Sequence, residues 1–119
     1  MQIAQNLLDD LPASLPQELV QNLLSTRDIR IERIVSHGHC SAEGFWYEQS
    51  TAEWVLVVAG RARVRFESGQ LIEMTTGSFI NIAAHQKHRV EWTDPHEHTV
   101  WLALHYQSGS EARGPADRR

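Results

Sequence analysis

The chain carries a single cysteine, Cys40, so no disulfide can form within it and a reducing compartment is expected. It also lacks any long apolar run. The longest, residues 54–59, falls far short of the ~20 residues that a membrane-spanning helix needs. The first ten residues have neither the basic stretch nor the apolar core of a signal peptide. Basic charge is not in excess: 11 Lys and Arg stand against 15 Asp and Glu, a formal net charge of −4. That balance argues against nucleic acid or an anionic membrane surface as a main partner. Two catalytic signatures are missing as well, namely a glycine-rich phosphate loop followed by Lys and Ser or Thr, and a strand-to-helix nucleophile elbow. There are no internal repeats. The expectation is a soluble, cytoplasmic protein with no nucleic-acid or membrane partner.

What is present fits one globular domain of 119 residues, 41% hydrophobic and 22% charged. Near the start, Ser14, Pro16 and Gln17 read as a helix entry: a cap, a first-turn proline and a capping-box glutamine. Leu15, Leu19 and Leu23, with Val20 and Leu24, recur at helical spacing, and Arg27-Asp28 ends the pattern. Residues 1–28 are therefore expected to form an N-terminal helical extension. From Ile29 the period falls to two. Strands are expected over 29–32, 45–49, 53–59, 61–67, 71–74, 79–82, 88–92 and 99–106. Short strands at that spacing, divided by turns such as Ser68-Gly69 and Thr76-Gly77, indicate an antiparallel sandwich or barrel. Residues 107–119 have almost nothing to bury and are expected to be a disordered tail.

The most informative stretch is Tyr47-Glu-Gln49-Ser-Thr-Ala-Glu53, with six residues between Glu53 and Gly60. It resembles the first motif of the cupins, histidine-x-histidine, three residues, glutamate, six residues, glycine. Glu53 and Gly60 match, while Tyr47 and Gln49 stand at the two histidine positions. Gly77-Ser-Phe-Ile-Asn-Ile-Ala-Ala-His-Gln-Lys-His88 resembles the second motif, with Ala83 in place of the usual proline, His85 of the later glycine and Trp92 of the final asparagine. The resemblance covers residues 29–106 and is similar to a small single-domain bacterial cupin. It implies an all-β fold, a double-stranded β-helix or jelly-roll barrel. It further implies that the motif residues can hold one divalent metal (Fe, Mn, Ni or Zn) inside the barrel. In the wider family such sites support dioxygenases, isomerases, decarboxylases and non-catalytic sensors.

A rival register exists at His37-Gly-His39-Cys-Ser-Ala-Glu43, which matches the ligand pattern more fully. After the six residues that follow Glu43, however, it meets Ser50 rather than a turn glycine. With Gly38 and Gly44 inside it, nothing sets three side chains on one strand face. It reads as a polar loop, and zinc through His37, His39 and Cys40 would crowd three ligands into four residues. His96 and His98 read as turn residues. Arg61, Arg63 and Arg65 read as an outer face paired with acidic neighbours, for which Glu32, Glu67, Glu73 and Glu91 are available.

Strand parity gives the candidate site. If Glu53 points inward, Val55 and Val57 follow it, and Trp54, Leu56 and Val58 point out. That apolar outer face needs cover, from the expected helix or from a second subunit, and a homodimer is expected. Tyr47 and Gln49 share a face with Phe45, and His88 shares one with Val90 and Trp92. The last strand divides into Val100, Leu102, Leu104 and Trp101, Ala103, His105, either of which can line the cavity. The candidate ligand-binding residues are Tyr47, Gln49, Trp92 and His105, and the candidate metal ligands are Gln49, Glu53 and His88. Tyr47 could ligate only as a phenolate, which costs about 4 kcal/mol at neutral pH. A direct Glu53–His88 pair in a metal-free pocket accounts for the same residues. The functional expectation is a small-molecule-binding barrel. The alternative is a metal-dependent enzyme of dioxygenase or isomerase type, with Tyr47 or His105 as acid or base.

Overall fold

In a strand, the alternation of Arg61, Arg63 and Arg65 with Ala62, Val64 and Phe66 puts guanidinium groups on one face and apolar groups on the other. The computed structural model, which describes residues 1–107, has this arrangement, with Ala62, Val64 and Phe66 buried. Eight strands follow in order: β1 (Leu19–Ser25), β2 (Ile29–Ser36), β3 (Ala52–Ala59), β4 (Arg61–Phe66), β5 (Leu71–Thr75), β6 (Phe79–Ile82), β7 (His88–Thr93) and β8 (Thr99–Tyr106). They form two antiparallel sheets, β1-β2-β8-β3-β6 and β5-β4-β7, the two walls of a jelly-roll barrel. The core lies between them, where Val57, Ala62, Met74 and Ala103 are fully buried. No helix among the described residues is long and apolar enough to cross a membrane. The tail expected over 107–119 lies, beyond Gln107, outside the described residues.

The expected N-terminal helix is not formed. Leu19–Ser25 is instead an edge strand, paired with β2 from Leu19↔Val35 to Ser25↔Arg30, with a register shift between Asn22 and Leu24. A lone helix of about ten residues is marginal in water. Pairing as a strand supplies partners for N–H and C=O groups along β2 that a helix would leave open. The turn at Arg27-Asp28, read as a helix end, is a hairpin: Thr26 N–H donates to the Ile29 carbonyl at 2.7 Å and Ile29 N–H to Thr26 Oγ1 at 3.1 Å. The residues before β1 form an arm held by side chains. Arg33, only 6% exposed, donates to Gln21 Oε1 at 2.7 Å and to the carbonyls of Leu7 and Asp9 at 2.9 and 2.6 Å.

Gly60 makes the turn from β3 to β4 at φ +97°, where a Cβ would sit 2.6 Å from the His98 carbonyl oxygen. No other residue fits there, which is why the motif ends in glycine. On the outer face of β4, Arg63 pairs with Glu73 at 2.6 Å and Arg65 with Glu91 at 2.9 Å, as expected. Arg61 takes Asp94 at 2.9 Å, Glu67 takes Lys87 at 3.6 Å, and Glu32 turns to a different use described below. On the larger sheet, Trp54, Leu56, Leu102 and Leu104 share the outward face, and Phe79 packs against Trp54 at 5.3 Å while remaining 61% exposed.

One irregularity moves a candidate site residue. Along β7, Val64 pairs with Val90 but Arg63 pairs with Trp92, so Glu91 is an extra residue in the strand. A bulge of this kind reverses the parity beyond it. Thr93, not Trp92, continues the buried face of His88 and Val90. Trp92 instead lies under the Arg63 guanidinium, 4.6 Å from it, on the outer side. The placement of Trp92 with His88 is therefore corrected.

Candidate functional site

Glu53 near the start of β3 and His88 at the start of β7 face each other across the barrel. His88 Nε2 lies 3.6 Å from Glu53 Oε1, with the two side chains 8% and 12% exposed. The other ring nitrogen is fixed by the backbone, Nδ1–H donating to the Gln86 carbonyl at 2.9 Å. Nε2 is left to the carboxylate. Burial alone pulls His88 toward the neutral form. The Glu53 hydrogen bond, the Gln86 carbonyl and the Glu53 charge outweigh it and hold its pKa above the ordinary value.

Tyr47 and Gln49 reach the same space from the segment before β3. Tyr47 forms an isolated bridge to His88, its N–H donating to the His88 carbonyl at 2.7 Å and the His88 N–H returning to its own carbonyl at 3.1 Å. The phenol ring then stacks on the imidazole, centroids 5.5 Å apart and planes 23° from parallel. Burial raises the Tyr47 pKa, and the charges of Glu18 and Glu53 raise it further, so the phenol stays protonated. Gln49, held by its carbonyl accepting from His85 N–H at 2.7 Å, keeps a buried Oε1 with no partner among the described residues.

A second imidazole–carboxylate pair stands beside the first. His105 on β8 is the register partner of Glu53, which settles that Trp101, Ala103 and His105 face inward. His105 is 5% exposed, its Nε2 is 3.0 Å from Glu32 Oε1, and its Nδ1 has no partner among the described residues. Glu18 closes the group from the arm. Ser36 Oγ–H donates to Glu18 Oε2 at 3.0 Å while accepting from Trp101 Nε1–H at 3.2 Å. Burial raises the Glu18 pKa most, the Ser36 hydrogen bond and the charge of His39 pull it back, and the charge of Glu53 adds to the rise; the net is upward.

These residues surround one pocket of about 150 Å³. Its polar wall is Tyr47, Gln49, Glu53, His88 and His105 with Glu18 and Glu32, and its apolar wall is Val20, Ile34, Val90 and Trp101. Five of the six residues singled out from the sequence thus share one cavity; Trp92 is the one left outside. Sequence reasoning missed Glu18 because residues 15–24 were given a helical period, and Glu32 because it was assigned to the arginine stripe. Reading Val20 and Leu24 as strand residues beside Ile29 and Ile31 would have brought both into view.

The rival histidines serve elsewhere. His37 N–H donates to His39 Nδ1 at 2.9 Å, His39 Nε2 faces the Leu15 carbonyl at 2.9 Å, and His98 Nε2 faces that of Pro12 at 2.6 Å. They fasten the arm and do not line the pocket. Cys40 is exposed, and His85 lies 3.8 Å from Glu48 at the surface.

The donor set was compared with what a divalent metal needs. Protein sites for such metals supply at least three good ligands. Here Glu53 and His88 already engage each other, Tyr47 holds its proton, and Gln49 offers only an amide oxygen. Among the described residues no three His, Cys, Asp or Glu side chains converge as a metal-holding group. The residues present do not fit the metal of the family.

No family model matches the chain, and no curated protein matches it. Solved structures do. A protein of Ralstonia eutropha JMP134, provisionally named as a mannose-6-phosphate isomerase, is 42% identical with a TM-score of 0.86, over 89% of this chain and 99% of that one. A cupin superfamily protein of Desulfitobacterium hafniense DCB-2 is 17% identical with a TM-score of 0.68, over 82% and 84% of the two chains. An RmlC-like cupin of Methanocaldococcus jannaschii is 12% identical with a TM-score of 0.64, over 83% and 88%. At such identities the last two speak to the fold alone.

Proposed function

We propose that this chain, which belongs to the cupin superfamily, binds a small polar molecule inside its barrel at the His88–Glu53 pair. The observation that carries the reading is the pairing itself: an imidazole held above its ordinary pKa by a carboxylate 3.6 Å away, both opening on a 150 Å³ pocket. A protonated Nε2 in that position can donate a hydrogen bond or a proton to a bound group, and Glu53 can take one back. Tyr47, stacked on the ring, offers a neutral O–H.

A cavity near 150 Å³ suits a molecule of about six non-hydrogen atoms, the size of benzene. Among the described residues no Arg or Lys stands on the pocket wall to meet a phosphate. The name of the Ralstonia relative is therefore not carried over as the substrate of this chain. A metal-dependent dioxygenase or isomerase would need a third strong ligand beside Glu53 and His88, and no step is assigned to a metal.

The reading is tested by following the His88 ring signals by NMR while a library of small polar fragments is added. Hits should shift His88 and His105 in the native protein and lose affinity in a folded His88→Gln variant. Fragments that bind both proteins equally would refute the site. For the outer face we propose cover by a second copy of the chain, since exposed Phe79 and its neighbour Trp54 would gain it. Sedimentation of Phe79→Glu as a dimer unchanged from the native protein would refute that.

A further inference from the structure

We infer that residues 1–18 form a strap across the mouth of the pocket, and that a ligand enters and leaves when this strap lifts. The inference deepens the small-molecule reading and rests on it. It starts from where the pocket is open. His88, Trp101 and His105 on its floor are 6%, 3% and 5% exposed, whereas Val20 on its rim is 52% exposed. The mouth therefore lies on the β1 side. Glu18 stands two residues before Val20 on the same wall, and its carboxylate ends a buried chain. Ser36 Oγ–H donates to Glu18 Oε2, and Trp101 Nε1–H donates to Ser36 Oγ. Half-buried Tyr47 meets Glu18 from the other rim; after burial, the Glu18 charge is the next influence raising the Tyr47 pKa. Lifting Glu18 opens the pocket and bares the Ser36 hydroxyl and the Trp101 indole N–H.

The two rims are tied down very differently. Tyr47 and Gln49 are fixed by backbone hydrogen bonds to His88 and His85. Among the described residues no backbone hydrogen bond joins residues 1–18 to either sheet, and none of these residues is fully buried. Side chains hold the strap by its carbonyls instead: Arg33 at Leu7 and Asp9, His98 at Pro12, and His39 at Leu15. Beneath its first half a cleft of about 580 Å³ lies between Gln5, Asn6 and Asp10 on one side and Gln21, Asn22 and Leu23 on the other. A packed interior leaves almost no such space. A segment with few buried contacts and no strand ladder opens far more often than the sheet it crosses. The strap side of the mouth is the one that moves.

The test follows solvent exchange of the Trp101 indole N–H by NMR in the full-length protein without ligand. That proton should exchange by local opening, its protection scarcely changed by urea concentrations that erode the backbone amides of Val57 and Ala62. His98→Ala and His39→Ala each free one carbonyl of the strap. Each should speed the exchange about fivefold, the worth of an ordinary hydrogen bond, and leave Ala62 and Val64 in β4 protected as before. If one variant loses protection in β4, the other carries the comparison; if both do, the urea dependence of the native protein decides. Trp101 exchange that tracks Val57 at every urea concentration would overturn the strap, as would unchanged exchange in both folded variants. Phenol, with a ring for the apolar wall and one hydroxyl for the polar wall, serves as the entry probe. Its on-rate, read from the line shapes of the His88 ring, should rise in the variants by the same factor as the exchange. Equal on-rates would overturn the gating and leave the small-molecule reading standing. Phenol that shifts neither His88 nor His105 would count against that reading itself, and the strap's role would fall with it.

Discussion

Replacing Glu53 with Gln should flatten or reverse the pH dependence of stability that His88 confers. In the native protein the folded-state pKa of His88 is raised. Below the ordinary histidine range, near 6.5, folded and unfolded states are both protonated and the pair contributes fully. As pH rises, the unfolded state loses its proton first, so the folded state binds more protons and stability falls until the raised folded pKa is passed. Remove the carboxylate, and burial, the largest single influence on His88 and one that favours the neutral ring, is left opposed mainly by the Gln86 carbonyl. The slope should then flatten or change sign. At 3.6 Å and an effective dielectric near 20 the gross attraction is roughly 4–5 kcal/mol. Desolvation of two groups that are mostly buried consumes most of it. Because His88 can discharge once Glu53 is gone, the net loss should be ~1–2 kcal/mol near pH 6 and under ~0.5 kcal/mol near pH 9. Urea melts of both proteins in EDTA between about pH 5.5 and pH 9 measure the difference directly. Parallel stability curves across that window would refute the pairing.

Gly60→Ala should cost ~3 kcal/mol or more, because φ is +97° and the new Cβ would meet the His98 carbonyl and the Thr99 backbone; a loss within ~0.5 kcal/mol in thermal melts would contradict the geometry. Trp92→Ala should lose about 1 kcal/mol of stability with the Arg63 contact, yet leave fragment binding in the barrel unchanged. A drop in affinity as large as that of Glu53→Gln would put Trp92 back on the inner face. Arg33→Ala should free the N-terminal arm, with hydrogen exchange rising at β1 and around residues 7–10 and changing little in β4; uniform protection would show the clamp to be idle.

The barrel was legible because its strands obey a period of two. The β4 alternation predicts its own burial, and the Glu53-to-Gly60 spacing fixes the turn that only glycine can make. β1 was not legible for the opposite reason. Leu19, Val20, Leu23 and Leu24 satisfy a helical period as readily as a bulged strand, since the register shift between Asn22 and Leu24 breaks the alternation that would have marked a sheet edge. Intrinsic preference over seven residues is weak, and the pairing that decides the matter belongs to β2 and lies outside the segment.

The site divides along the same line. Tyr47, Gln49, Glu53 and His88 were found because a motif places them, although only Glu53 and His88 sit on strands: the strand expected over 45–49 is reduced to an isolated bridge at Tyr47, and Tyr47 and Gln49 reach the pocket from the segment before β3. Trp92 was misplaced by a single inserted residue, Glu91, which no periodicity reveals because an outward glutamate fits either register. Glu18 and Glu32 were missed because each is recognisable only through a distant partner, Ser36 for one and His105 for the other. Those two carboxylates change the chemistry of the pocket more than any motif position does. With Glu53 alone the cavity would hold one compensated pair, hospitable to a neutral or weakly anionic guest. With Glu18 and Glu32 beside it, the pocket holds two imidazole–carboxylate pairs and a third carboxylate hydrogen-bonded by Ser36. The replacement of the motif histidines by Tyr47 and Gln49 then has a physical sense: a phenol kept protonated by burial and by its acidic neighbours and a neutral amide oxygen are poor ligands for a metal ion.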